Sequence, residues 1–221
     1  MPNMSQDMDL NGMVLQMTAS GDFGRRIVLL TRERGKITAF ARGASRPHST
    51  LLAATNPFCF GTFTVVEGQN AYTLLSARIS NYFQGFREDV EGMCYGSYFL
   101  EFAAWYTQEN MESSDTLNLL YISLKALLNP KIPDRLVRCI YEIRLMEING
   151  EYPTDVVSDS SLSEAARYSF YFILTSPLKK LYSFTVSEEV LKEIETQQQR
   201  IRRRIVNHNF KSLDVLNSMF G

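Results

Sequence analysis

The spacing of apolar residues changes once along this chain of 221 residues, near residue 85. Before that point, short runs rich in β-branched and aromatic residues alternate with turn signals. They predict strands over 12–19, 25–32, 36–43, 58–67 and 72–79. "RERGK" (32–36) and "EGQNA" (67–71) read as hairpin turns, with Gly35 and Gly68 supplying positive φ. Five short strands in about 70 residues predict a small closed or partly open barrel. No helical pattern separates the runs, which argues against a parallel α/β sheet.

Beyond residue 85 the apolar period is helical. "DVEGMCYGSYFLEFAAWYTQE" (89–109) predicts a long, largely buried helix, and a second spans 114–128, closed by Asn129-Pro130. A third opens at Pro133, runs through "DRLVRCIYEIRLMEI" and ends at Asn149-Gly150. A fourth begins in "SLSEAARYSFYFIL", where Ser161 and Glu164 have capping-box spacing. The last long helix starts at Ser187, with Glu188 and Glu189 in the turn where the helix dipole favours acids. Its apolar stripe reads Val190, Ile194, Ile201 and Ile205. The pattern predicts an α+β protein of two domains. A flexible polar leader covers residues 1–10, a barrel domain 11–82 and a helical domain 83–221.

Composition narrows the chemistry. At 45% hydrophobic and 21% charged residues the chain has the makings of real cores. No apolar run reaches the roughly 18 residues of a membrane span. The start, "MPNMSQDMDLNG", is polar and acidic, unlike a signal peptide, so the cytoplasm is the expected location and a membrane is not an expected partner. Cys59, Cys94 and Cys139 have no C-x-x-C spacing and read as reduced, buried thiols. With only His48 and His208 besides, no local metal motif can be assembled, and no cofactor is expected. Neither G-x-x-x-x-G-K-[ST] nor G-x-G-x-x-G occurs. "GDFGRR" has the wrong spacing and no helix after it, so no nucleotide-fuelled enzyme is indicated.

Charge is what remains to be explained. Residues 1–85 carry 8 basic and 5 acidic side chains, and 86–221 carry 15 and 19, summing to the net charge of -1. Within 25–49 lie seven basic residues and one acid, Glu33. Side chains alternate across a strand, so Lys36, Thr38, Phe40 and Arg42 share one face. Ile37, Ala39, Ala41 and Gly43 share the other, small and apolar enough for a barrel interior. Cations hold phosphates, and an exposed ring offers a platform on which any base can stack. The candidate phosphate contacts are Arg25, Arg26, Arg32, Arg34, Lys36, Arg42 and Arg46, with Phe40 as the stacking residue. Arg34 and Lys36 read as exposed turn positions. The competing reading is a solvated sheet edge. "RIRRRI" (200–205) reads as the solvated flank of the last helix.

"LLTRERGKITAFARGASRPHSTL" (29–51), followed by "NPF" (56–58), resembles the N-terminal domain of the RecO family of bacterial recombination mediators. The shared pattern is the turn Thr31, Arg32, Glu33, Arg34, Gly35, Lys36, then the loop Ala41 to Arg46. The resemblance implies that the barrel is an OB-fold followed by a helical domain. It implies a DNA repair protein without enzymatic activity that binds single-stranded DNA, and double-stranded DNA as well. Such a protein anneals complementary strands. With RecR it helps load RecA onto strands coated by single-stranded DNA-binding protein, in the cytoplasm at the nucleoid. The helical domain would receive that protein's acidic tail, and the barrel RecR. Two departures stand out. The stretch after the third helix, 149–170, has none of the zinc cysteines that many members carry. "SGDFGRRIV" (20–28) replaces the family's glycine-glutamate-x-aspartate-arginine run. An OB-fold adaptor that binds only proteins, and an RNA-binding factor, are the alternative readings.

Overall fold

The computed structural model describes residues 6–220. The chain divides into two compact units: one holds residues through Gln84 together with Ala103–Leu117, the other Gly85–Phe102 with the residues from Asn118 on. The sequence division at 82/83 therefore misses that 103–117 group with the barrel.

In the first unit β1 (Asp7–Ser20), β2 (Gly24–Thr31), β3 (Gly35–Ala41), β4 (Phe60–Glu67) and β5 (Tyr72–Asn81) close a barrel in the order β1-β2-β3-β5-β4. All neighbours are antiparallel except β3 and β5, which meet in parallel at Ala39–Tyr72 and Phe40–Thr73. β1 is long enough to pair with both β2 and β4, and a register shift between Val14 and Gln16 lets it bend between them. The expected leader through residue 10 is corrected from Asp7 onward. Residues 7–10 ladder onto 63–66, and Leu10 enters the core. Residues 1–5 of that leader lie outside the described residues.

The alternation read along β3 is the alternation observed. Ile37, Ala39 and Ala41 are buried in the barrel with Val14, Ile27, Leu29, Phe63 and Val65, while Phe40 is exposed. A one-turn helix, α1 (Leu51–Ala54), sits between β3 and β4 and adds Leu51 to that core. Its four residues are too few to show a helical period. The two hairpin glycines differ in cause. Gly35 has φ +64, and a Cβ there would also meet Gln108 O at 2.1 Å. Gly68 does not have positive φ. Its N–H donates to Ala71 O at 3.0 Å, and a Cβ would crowd that oxygen at 2.6 Å. Close approach, not handedness, requires glycine there.

The helices are α2 (Val90–Tyr106), α3 (Ser114–Leu127), α4 (Asp134–Ile148), α5 (Glu164–Thr175), α6 (Glu188–Ile205) and α7 (Lys211–Phe220). Gly150 ends α4 with φ +72. In the second unit Phe99 stacks on Tyr141, centroids 4.2 Å apart, and Tyr98, Phe102 and Phe210 form an edge-packed cluster beside them. The α5 cap is Ser163, whose side chain accepts from Ala166 N at 3.2 Å, not Ser161, which is held by Asp159. Ser187 caps α6 as expected. The α6 stripe is corrected to Leu191, Ile194, Gln198, Ile201 and Arg202, with Val190 and Ile205 only half-buried. The period was offset because the buried face carries polar residues.

Those polar residues converge on Glu142 of α4. Its carboxylate accepts from Tyr98 Oη at 2.7 Å, Arg138 Nε at 3.0 Å and Gln198 Nε2 at 3.1 Å, with Arg202 Nε 3.8 Å away. Burial pushes the Glu142 pKa up, but Arg138, Arg202 and these bonds outweigh it and hold it below the ordinary value. Arg202 is thus a buried countercharge rather than part of a solvated flank. The three cysteines are buried thiols, and burial raises Cys59 to about 11 against a weaker lowering by the Asn56 backbone bond. Among the described residues no helix is long and apolar enough to cross a membrane, and no group of three or more His, Cys, Asp or Glu is placed to hold a metal.

Candidate nucleic-acid interface

The β2–β3 hairpin runs in register from Arg25–Ala41 to Thr31–Gly35, six residue steps or about 20 Å. The seven cations of 25–46 therefore fall at two ends, not in one cluster.

At the turn the residues are structural. Thr31 Oγ1, fully buried, donates to Gly35 O at 2.9 Å and accepts from Arg34 N at 3.1 Å, which closes the turn. Glu33 holds Asn11, accepting from its backbone N and its Nδ2 at 3.0 Å each. The connection between α2 and α3 lies against the turn. Asn110 N donates to Arg34 O at 2.9 Å, Ser113 N to Arg32 O at 3.3 Å, and Lys36 N to Gln108 O at 3.1 Å. Lys36 Nζ donates to Ala104 O in the last turn of α2 at 2.5 Å, and burial lowers its pKa. Lys36 is half-buried and Arg34 partly so, which corrects their reading as exposed turn positions. Of the three turn cations Arg32 alone is exposed, beside the exposed Glu33, and Glu109 and Glu112 bring further negative charge to the α2–α3 connection.

At the open end the cations divide again. Arg25 is spent on the fold, its Nε on Ser45 Oγ at 3.2 Å and its Nη1 on Leu52 O, Thr55 Oγ1 and Asn56 Oδ1 at 2.7–3.1 Å. Arg26 points outward. Register pairs it with Thr18 of β1 and Phe40 of β3, and Phe40 pairs with Thr73 of β5. One outward row thus crosses four strands as Thr18, Arg26, Phe40 and Thr73. Arg26 Nη2 donates to Thr38 Oγ1 at 3.3 Å, which holds the guanidinium along the sheet. Phe40 keeps 36% of its surface exposed. Arg42 is exposed in the turn that follows, with no side-chain hydrogen bond or ion pair among the described residues. Arg46 lies over the ring of Phe23.

Two depressions flank this row. A hollow of about 270 Å³ is bordered by Phe40, Arg42, Gly24 and Ala71–Thr73, between the β1–β2 and β4–β5 turns. A groove of about 480 Å³ lies beyond Arg26, between Val28 and Thr38 on the sheet and Thr107–Glu109. Cations beside an open ring and a hollow can hold a sugar–phosphate backbone while a base stacks. The open-end set is Arg26, Phe40, Arg42 and Arg46, and to these the structure adds Phe23. Phe23 lies outside the sequence-derived set, between the two glycines of "GDFGRR". Its signal was an apolar ring in an otherwise polar turn.

A closed five-stranded barrel in this order, with a helix between β3 and β4 and cations on its β2–β3 face, defines an OB-fold protein. The family described as Recombination protein O N terminal matches residues 4–83. The chain is 28% identical to the "DNA repair protein RecO" of Acetivibrio thermocellus across 95% of this chain and 96% of that protein. It is 32% identical to the protein of that name from Bacillus subtilis, across 64% of this chain and 55% of that protein. It is 23% identical to that from Clostridium perfringens, across 95% and 97%. Residues 4–83 thus match that family's N-terminal domain, and along nearly its whole length the chain is similar to proteins named DNA repair protein RecO.

Proposed function

We propose that this protein acts in DNA repair and recombination by binding single-stranded DNA through the open end of the β2–β3 face. The observation that carries this reading is the exposed Phe40 ring set beside Arg26 and Arg42 on an OB-fold barrel. A strand laid across that row would place phosphates on the guanidinium groups and a base on the ring, without selecting a sequence. The relatives named above carry the name DNA repair protein RecO, which supports the same role. Annealing follows from charge. Two phosphate backbones repel, and a basic surface that screens both lowers the cost of bringing complementary bases together. That step needs no nucleotide hydrolysis, so the reading is of a mediator and not an enzyme. It would work in the cytoplasm with RecR and single-stranded DNA-binding protein to load RecA.

The test is a salt titration of binding to unrelated single-stranded oligonucleotides. Three open-end cations, Arg26, Arg42 and Arg46, predict a log–log slope of about -2, at -0.7 per phosphate neutralised. A comparable affinity for several sequences and acceleration of strand annealing would support the mediator. A salt-independent affinity, or none, would favour the protein-only adaptor.

A further inference from the structure

The turn between β1 and β2 and the turn after β3 are joined at the open end of the hairpin. Ser45 N donates to Phe23 O at 3.0 Å, and Ser45 Oγ accepts from Arg25 Nε at 3.2 Å. Gly43, at φ +69, folds the second turn so that Arg46 N reaches Gly43 O at 3.1 Å. The backbone therefore fixes both turns, while the Phe23 side chain takes no part in the barrel core. Half of its surface, 50%, is exposed. The Arg46 guanidinium carbon lies over the ring, 5.7 Å from its centroid. Arg46 has no carboxylate partner among the described residues, and Asp22 is the one acid of the β1–β2 turn, against Arg42 and Arg46.

We propose that Phe23 and Arg46 form a second nucleotide subsite beside Phe40, in which Phe23 stacks a base and Arg46 holds an adjoining phosphate of the same strand. This rests on the single-strand reading above and extends it to a residue outside the β3 face. A cation held over one face of a ring orients that ring, and half of the Phe23 surface stays open. A stacked base would then replace water on its open surface. Phe40 with Arg42 and Phe23 with Arg46 both belong to the open end of the hairpin, so each pair offers one ring and one cation to a strand that crosses that end.

The experiment compares the intact chain with Phe23→Ala, Phe23→Trp and Arg46→Ala, using oligo-dT and the same oligonucleotide containing abasic sites. Phe23→Ala should weaken oligo-dT binding about 5- to 140-fold, the factor for one stacked base, and leave the salt slope unchanged. It should also lose part of the preference for intact over abasic strands, which a general unfolding would not produce. Arg46→Ala should flatten the slope by about 0.7. Phe23→Trp, in a Trp105→Phe background so that it is the one tryptophan, should bind like the starting protein and be quenched by oligo-dT. Undiminished affinity and base preference in a folded Phe23→Ala protein would overturn the subsite alone. Failure of the unaltered protein to bind any single strand would overturn the reading beneath it.

Discussion

Lys36 Nζ donates to the carbonyl oxygen of Ala104 at 2.5 Å, so the lysine of the hairpin turn caps the last turn of α2. The last carbonyls of a helix lack partners within it, and a cation there is favoured by the helix dipole. With Thr31 closing the turn, Glu33 gripping Asn11 and Gly35 admitting Gln108 O, the turn motif is a docking device. Lys36→Met should therefore lower stability by about 1–2 kcal/mol, measured by urea denaturation. The salt slope of DNA binding should stay within error. A slope flattened by about 0.7 would return Lys36 to the phosphate contacts.

Arg25 should behave as a clasp. Arg25→Met removes the donors that serve Ser45, Leu52, Thr55 and Asn56, and should cost about 1–3 kcal/mol of stability. Below its melting transition the variant should keep most of its single-strand affinity.

Arg26 and Phe40 should separate cleanly by kind of effect. Arg26→Gln should flatten the salt slope by about 0.7 and weaken every sequence alike. Phe40→Ala should cost about 1–3 kcal/mol of binding with the slope intact. Fluorescence anisotropy at several salt concentrations distinguishes the two. Identical slopes for both variants would remove Arg26 from the interface.

Glu142 is buried between Arg138 and Arg202, and Glu142→Gln should destabilise the helical unit by about 3–5 kcal/mol at neutral pH. Because its folded pKa is lowered, the stabilisation is present above the unfolded value near 4.3 and is lost as pH falls through the folded one. The deficit of the variant should therefore shrink in acid. Thermal melts across pH follow it.

Asp134 titrates the other way. Burial first, then Asp89 and Glu91, raise its pKa to about 6. The folded state binds that proton more tightly, so stability is greatest below the unfolded pKa near 3.9 and falls as pH rises through about 6. Asp134→Asn should gain about 0.5–1 kcal/mol at pH 7.5, modest because the group is about half solvated and leaves a favourable helix-start position. The gain should vanish as pH falls toward about 4.

Local rules sufficed wherever a residue's neighbours are close in sequence. The alternation of Ile37, Ala39 and Ala41 against Phe40 is a property of one strand, and barrel interior and exterior followed from it. Ser187 and Gly150 marked helix ends through bonds spanning three to five residues. Long-range contacts decided the rest. Whether a cation meets water or a buried acceptor depends on segments far along the chain. Arg25 met Asn56, Lys36 met Ala104, and Arg202 met Glu142. Composition marks these three as basic no differently from Arg26 and Arg42, yet closure of the barrel and packing of the helices turned the three onto protein acceptors and left Arg26 and Arg42 facing solvent. Phe23 shows the reverse. A ring in a polar turn is ambiguous until Ser45 and Arg46 arrive from 22 and 23 residues away to hold it open at the barrel mouth.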